Sequence, residues 1–174
     1  AKNVNSIVMP LDILRHFHFP SDALKWEDKR PAAVWRGMLN GQERRARLVN
    51  LYGGSNYHDI AEIKHPPGVR YPKGWLSTKD QLKYRYILSL EGNDVATNLK
   101  WIMASNSVAL SPKLEYETWF MEGLLHPGVH YIQLRNDLTD LDEKIEWCES
   151  NPEKVKQIVL NANNWVRRFQ DKHT

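Results

Sequence analysis

The chain has 174 residues, 41% hydrophobic and 26% charged, with a net charge of +3. That is ordinary globular composition, long enough for one domain with a real core. The weak positive balance suits an anionic ligand and argues against nucleic acid as a partner, since no Lys/Arg run reaches five. The lone Cys148 leaves no internal disulfide or thiolate metal site, and no apolar segment approaches the ~18 residues of a membrane helix.

Residues 1–31 mix aromatics, charges and three prolines without a sustained period, and read as an irregular lead-in or linker. The domain proper is expected over 32–174. A strand at 32–39 breaks on Asn40-Gly41. A helix follows over 42–53, with Ala46, Leu48, Val49 and Leu51 apolar and Gly53-Gly54 as its stop. A strand is expected at 58–65 and a loop at 66–74. Ser77 with Asp80 three residues on is a capping box that opens a short helix, 77–84.

The strand 85–90 then ends on Glu91-Gly92-Asn93-Asp94. Within 94–105, Val95, Leu99, Ile102 and Met103 form one buried helical face, with Thr97, Asn98, Lys100 and Trp101 on the other. Strands at 107–111 and 130–135 flank a helix at 116–125. Helices at 138–150 and 152–173 finish the chain. The first of these turns Leu138, Leu141, Ile145 and either Trp147 or Cys148 inward; the second has Pro152 in its first turn. Alternating short apolar strands and amphipathic crossovers predict an α/β fold, a parallel sheet with helices on both faces.

In such a sheet ligands bind beyond the carboxyl ends of the strands, and three junctions there carry chemistry. At the first, Gly92 lets the backbone turn closely and Asn93 or Asp94 is placed to cap the helix. This is either a capped turn or an anion site at a helix N-terminus. At the second, Arg36 and Gly37 end a strand and Arg44 and Arg45 open the next helix. Two arginines eight apart could fork onto one phosphate group, or Arg44 and Arg45 could lie on a solvated face paired to Glu43. At the third, the carboxylate of Glu117 or Glu122 could accept the hydroxyls of a ribose, cap a helix or face solvent. The seven histidines lack companions at metal-ligand spacing, and no Walker, GxSxG or HExxH motif occurs.

These junctions, in this order, resemble glycosyltransferase family 90, the capsule-associated and lipopolysaccharide-modifying sugar transferases related to the protein O-glucosyltransferases. The resemblance is carried by "VWRG" with "ER" six residues on (34–37 and 43–44), "KYRYILSLEGNDVATNLKWIMASNSVAL" (83–110), "YETWFMEGLL" (116–125), "HPGVHYIQLRNDLTDLDEKIEW" (126–147) and the closing helix. It implies the C-terminal, Rossmann-like, nucleotide-sugar-binding domain of a GT-B enzyme, using a UDP-sugar as co-substrate with no metal or other cofactor. The implied reaction is inverting transfer to a glycan or lipopolysaccharide-type hydroxyl, in the cytoplasm at the inner face of a membrane.

By the same resemblance Arg44 is the diphosphate-binding arginine, with Arg36 and Gly37 shaping its loop. Gly92, Asn93, Asp94, Val95, Ala96, Thr97 and Asn98 line the donor, and Lys100 and Glu117 complete the set. Two departures stand out. Met38 follows the RG pair where the O-glucosyltransferases carry serine, and Asn98 stands where they carry an arginine, a loss for which Lys100 could substitute. The family's catalytic Asp lies in an N-terminal acceptor domain upstream of the WRG motif. Only residues 1–33 precede that motif here, so no catalytic base is assigned: either the chain is a piece of a longer enzyme, or a partner supplies the acceptor domain, or the chain is a non-catalytic domain that only binds the nucleotide sugar.

Overall fold

The computed structural model describes residues 17, 19–63 and 74–170. The apolar run of β1 (Arg30–Gly37) is buried from Ala32 to Trp35, as expected of a central parallel strand with both faces covered. Its neighbours are β2 (Asp59–Glu62) on one side and β3 (Tyr84–Leu88) on the other, followed by β4 (Val108–Ser111) and β5 (Ile132–Gln133). All four pairings are parallel, in the order β2-β1-β3-β4-β5. Register sets Trp35 beside Ile60, Val34 beside Ile87 and Ile87 beside Ala109. The chain moves outward from β1 to β2 and then returns past β1 to β3. The order therefore reverses between β1 and β3, and a crevice opens beyond their carboxyl ends.

The crossovers are α1 (Glu43–Tyr52), the short α2 (Thr78–Gln81) and α3 (Asn98–Met103); α4 (Leu141–Ser150) and α5 (Pro152–Gln170) follow β5. Period-2 alternation sorts the strand side chains onto two faces. Ala33, Trp35, Tyr86, Leu88, Val108 and Leu110 pack with α1, α4 and the start of α5. Ala32, Val34, Ile87 and Ala109 pack with α3 and the end of α5. Helix α5 joins the two layers: Val155 and Ile158 serve the first, Ala162, Trp165 and Val166 the second. This is the expected Rossmann-like layering, with helices on both faces.

Several boundaries differ from the expected ones. Helix α3 starts at Asn98, because residues 93–97 form a loop and Thr97 is the N-cap, without a side-chain bond. Asn93 and Asp94 therefore cap nothing. The helix expected over 116–125 is absent: Met121 sits in the left-handed region and only a 3-10 turn, Glu122–Leu124, forms. The reason is local. The Glu122 carboxylate accepts from Thr118 N at 2.7 Å and from Thr118 Oγ1 at 2.8 Å, offering the backbone an alternative to helix. Leu138 is buried but left-handed, so α4 begins only at Leu141.

The expected cap of α2 forms. Ser77 Oγ accepts from Asp80 N at 3.0 Å, completing the cap of α2. The lead-in, where described, lies against the domain: Asp22 accepts from Lys29 Nζ at 2.7 Å and from Asn106 N at 2.8 Å, and Trp26 is buried. The loop expected at 66–74 lies outside the described residues except for Gly74.

On α4 the inward residue is Cys148 and not Trp147, which is 40% exposed. Burial pushes the Cys148 thiol up to about 12, so almost no thiolate forms near neutrality. In Ellman's assay at pH 8 the native chain is expected to show no reactive thiol, and the denatured chain one equivalent. Rapid native labelling would contradict the packing of α4.

Candidate active site

A cleft of about 480 Å³ opens beyond the carboxyl ends of the strands. Its walls come from the loops and helix starts after four of the five strands: Gln42, Glu43, Arg44 and Arg47 after β1, Glu91 and Gly92 after β3, Glu115 and Tyr116 after β4, Asn136 and Asp137 after β5. A second, narrower opening of about 270 Å³ lies across Arg45. Arg36, Gly37, Ala96, Thr97 and Asn98 line it, with Trp75 and Trp101.

The two arginines expected to converge do not. Arg36, with a side chain only 4% exposed, is committed to the protein. Its Nη2 donates to Asp59 Oδ1 at 2.8 Å, Nη1 to Asp59 O at 2.7 Å and Nε to Gly74 O at 3.1 Å. It holds β1 to β2. Arg44 is different: it faces the larger cleft and meets Glu115 Oε1 at 3.2 Å, with side chains 26% and 48% exposed. Such a pair is worth at most about 1 kcal/mol. A doubly charged anion could take the guanidinium from Glu115 at little cost.

The expected donor loop is largely structural. Val95 and Ala96 are buried. The Asn93 side chain accepts from Gln42 Nε2 at 2.7 Å, fastening the loop to the start of α1. Asn98 uses its amide on the end of β3, donating to Leu88 O at 2.9 Å and accepting from Ser89 Oγ at 3.1 Å. Asp94 is exposed, and its charge acts on Arg45 and Lys100.

Lys100 corrects two expectations at once: it is neither on a solvent face nor free to replace a lost arginine. It is 2% exposed, 3.5 Å from Glu122 Oε1, with its ammonium over the Trp119 and Phe120 rings. Burial holds its pKa below the ordinary lysine value, against the opposing charge of Glu122. Glu117 is exposed beside Gly123 and outside the lining of the cleft. The carboxylate that reaches the cleft after β4 is Glu115.

Sequence reasoning missed Glu91 and Glu115, and it did not foresee that Arg45 turns inward onto Met38 O and Leu90 O. Glu91 is 6% exposed, and its carboxylate accepts from the backbone N–H groups of Glu115 and Tyr116 at 3.1–3.2 Å. One buried acid thus builds the rim that presents Glu115 to Arg44. Burial raises the Glu91 pKa, and the two backbone N–H donors oppose the shift. A raised folded-state pKa contributes stability below the unfolded value that is lost as pH rises through the folded one. Relative to Glu91→Gln, the wild type should therefore gain stability as pH falls from 7 to 4.5; a difference independent of pH in paired denaturant titrations would contradict this.

Among the described residues no group of three or more His, Cys, Asp or Glu could hold a metal ion. His58 resembles half of a catalytic dyad, with Nε2 at 2.8 Å from Asp142 Oδ1. Its Nδ1, however, accepts from Ala33 N at 3.1 Å, so the pair is structural. No described helix is long and apolar enough to cross a membrane.

The C-terminal domain of a glycosyl transferase group 1 family protein (LpcC) from Francisella tularensis superposes with a TM-score of 0.53. The match covers 94% of this chain and 100% of that one at 10% identity, a likeness of fold. O-glucosyltransferase LpsA of Dichelobacter nodosus is 46% identical over 168 residues, 96% of this chain and 52% of that protein. Protein O-glucosyltransferase 2 of Danio rerio is 33% identical over 150 residues, 82% of this chain and 29% of that protein. The chain thus spans about half, or less, of these relatives. The profile of glycosyl transferase family 90 matches residues 12–172, a span that takes in the whole sheet, both helical layers and the cleft, and the chain belongs to that family.

Proposed function

We propose that this chain is the donor-binding domain of a glycosyltransferase that moves a sugar from a UDP-sugar to a hydroxyl of a glycan or lipopolysaccharide-type acceptor. The reaction is read as inverting and metal-independent, in the cytoplasm at the inner face of a membrane. The observation that carries the reading is Arg44. Of the arginines around the two openings, Arg36 and Arg45 are spent on the protein's own oxygens, while Arg44 stands in the larger cleft against one exposed carboxylate, with the exposed Arg47 lining the same cleft. That is the placement a diphosphate needs.

In this reading the diphosphate displaces Glu115 from Arg44, and the freed carboxylate accepts the ribose hydroxyls, a role Glu117 is too far outside the cleft lining to fill. Gly92 lies in the wall of the same cleft, while Ala96, Thr97 and Asn98 line the narrower opening. In the transfer step the acceptor oxygen bonds to the sugar's anomeric carbon as the bond from that carbon to the diphosphate oxygen breaks. The acceptor proton goes to a general base, which by family resemblance is an Asp of an acceptor domain outside these residues. Arg44 stabilises the charge that develops on departing UDP.

The test is a thermal-shift panel of UDP, GDP and ADP sugars. UDP compounds alone are expected to raise Tm, since a ligand at one hundred times its Kd adds about 2.7 kcal/mol. No shift at millimolar UDP would end the proposal. A second reading, a binding domain without transfer activity, is favoured by Asn98: its amide is spent on Leu88, and buried Lys100 does not replace the missing arginine. Sugar transfer by the chain together with an acceptor domain would exclude it.

A further inference from the structure

Arg45 occupies the first turn of α1, where unpaired N–H groups disfavour a cation. The side chain nevertheless turns inward. Its Nη1 donates to Met38 O at 2.9 Å and its Nη2 to Leu90 O at 3.0 Å, while Nε is buried without a hydrogen-bond partner. Met38 belongs to the turn after β1, and Leu90 to the loop after β3. One planar guanidinium therefore bridges the two loops that border the crevice, at the point where the strand order reverses. Burial lowers its pKa, and the charge of Asp94 opposes the shift.

Gly92 fits this arrangement. A Cβ built there would lie 2.7 Å from Arg45 Nη2 and 3.1 Å from Cζ. Its backbone is not left-handed, so what requires glycine is the close approach of the guanidinium. The Gln42–Asn93 hydrogen bond ties the same two loops a second time, at the surface.

We infer that Arg45 is a positioning residue: it locks the β1–α1 turn to the β3–α3 loop and so fixes where its neighbour Arg44 stands in the cleft. It touches no substrate. The consequence for donor binding rests on the reading of the cleft given above; the locking does not.

The test pairs hydrogen exchange with ligand binding. In Arg45→Ala, amides of residues 38–42 and of 90–97 should both exchange at least tenfold faster, while those of β3 and β4 keep their protection. UDP should bind at least tenfold more weakly. Millimolar methylguanidinium should restore loop protection in Arg45→Ala and leave the wild type unchanged. Val155→Ala, a core truncation far along the chain in α5, should lower Tm without loosening these loops. If Arg45→Ala fails to fold, Arg45→Lys, which keeps the charge without the fork, is measured in its place. Loosening of one loop alone, or the same pattern in Val155→Ala, would overturn the inference. Should the wild type not bind UDP at all, the donor reading falls while the exchange measurement still decides the role of Arg45.

Discussion

Arg44→Ala should abolish most of the stabilisation that UDP confers while leaving the ligand-free protein almost unchanged. The two halves of this expectation have separate causes. A guanidinium that forks onto a diphosphate makes charge-assisted, bidentate hydrogen bonds, and losing them costs about 2–3 kcal/mol, or about 30- to 150-fold in Kd. In the free protein the same side chain has only the exposed Glu115 at 3.2 Å, a pair worth at most about 1 kcal/mol. Titration calorimetry with UDP, alongside ligand-free melting, measures both. Arg44→Lys should recover only part of the affinity, since an ammonium is a point charge without the fork. Unchanged affinity in Arg44→Ala would remove the diphosphate from this cleft and direct attention to the narrower opening across Arg45.

A larger loss of stability is expected from Lys100→Met. The substitution leaves the Glu122 carboxylate, 2% exposed, without its cation among aromatic rings. Breaking a buried pair by removing one partner costs about 3–5 kcal/mol, a large share of the roughly 5–15 kcal/mol that holds a domain together. For a chain of this size that is a fall in Tm of order 10 °C. The double variant Lys100→Met with Glu122→Gln should recover part of the loss, because no unpaired charge then remains. Glu122 also accepts from Thr118 N and Oγ1, so recovery will be incomplete. A single-variant loss under about 1 kcal/mol would show that the pair is not buried as described. The cleft should feel the change too: the pair ties α3 to the loop that carries Glu115.

Most of the architecture was legible from local pattern. The strands expected at 32–39 and 85–90, found at Arg30–Gly37 and Tyr84–Leu88, the Ser77 capping box, the Pro152 helix start and the inward Leu141 and Ile145 each follow from the chain's own periodicity and cap chemistry. What failed was the helix expected over 116–125. There the apolar spacing suggests a helix, but Thr118 and Glu122 bond to each other and hold a 3-10 turn instead. The start of α3 was misplaced for a related reason: the Asn93 side chain engages Gln42, not the helix N-terminus. Pattern reading sees hydrophobic spacing well and does not see a polar side chain choosing a partner elsewhere in the chain.

The cleft divides along the same line. Its position followed from fold class alone, since a parallel sheet whose strand order reverses opens a crevice at its carboxyl edge. The arginines did not follow. Arg36, Arg44 and Arg45 all stand near one strand–helix junction with nothing local to tell them apart. A cation in the first turn of a helix opposes the dipole, but Arg44 and Arg45 both stand there, so the signal marks the pair without separating its members.

By itself, then, the sequence determined the sheet, its layers and the edge at which the cleft opens, because those depend on periodicities that each segment carries within itself. The tertiary structure decided which charge faces the cleft. Leu90 O, which draws Arg45 inward, is 45 residues from it in sequence; Glu122, which removes Lys100 from solvent, is 22 away. The direction of a long charged side chain is set by whichever oxygen the fold brings within hydrogen-bond reach.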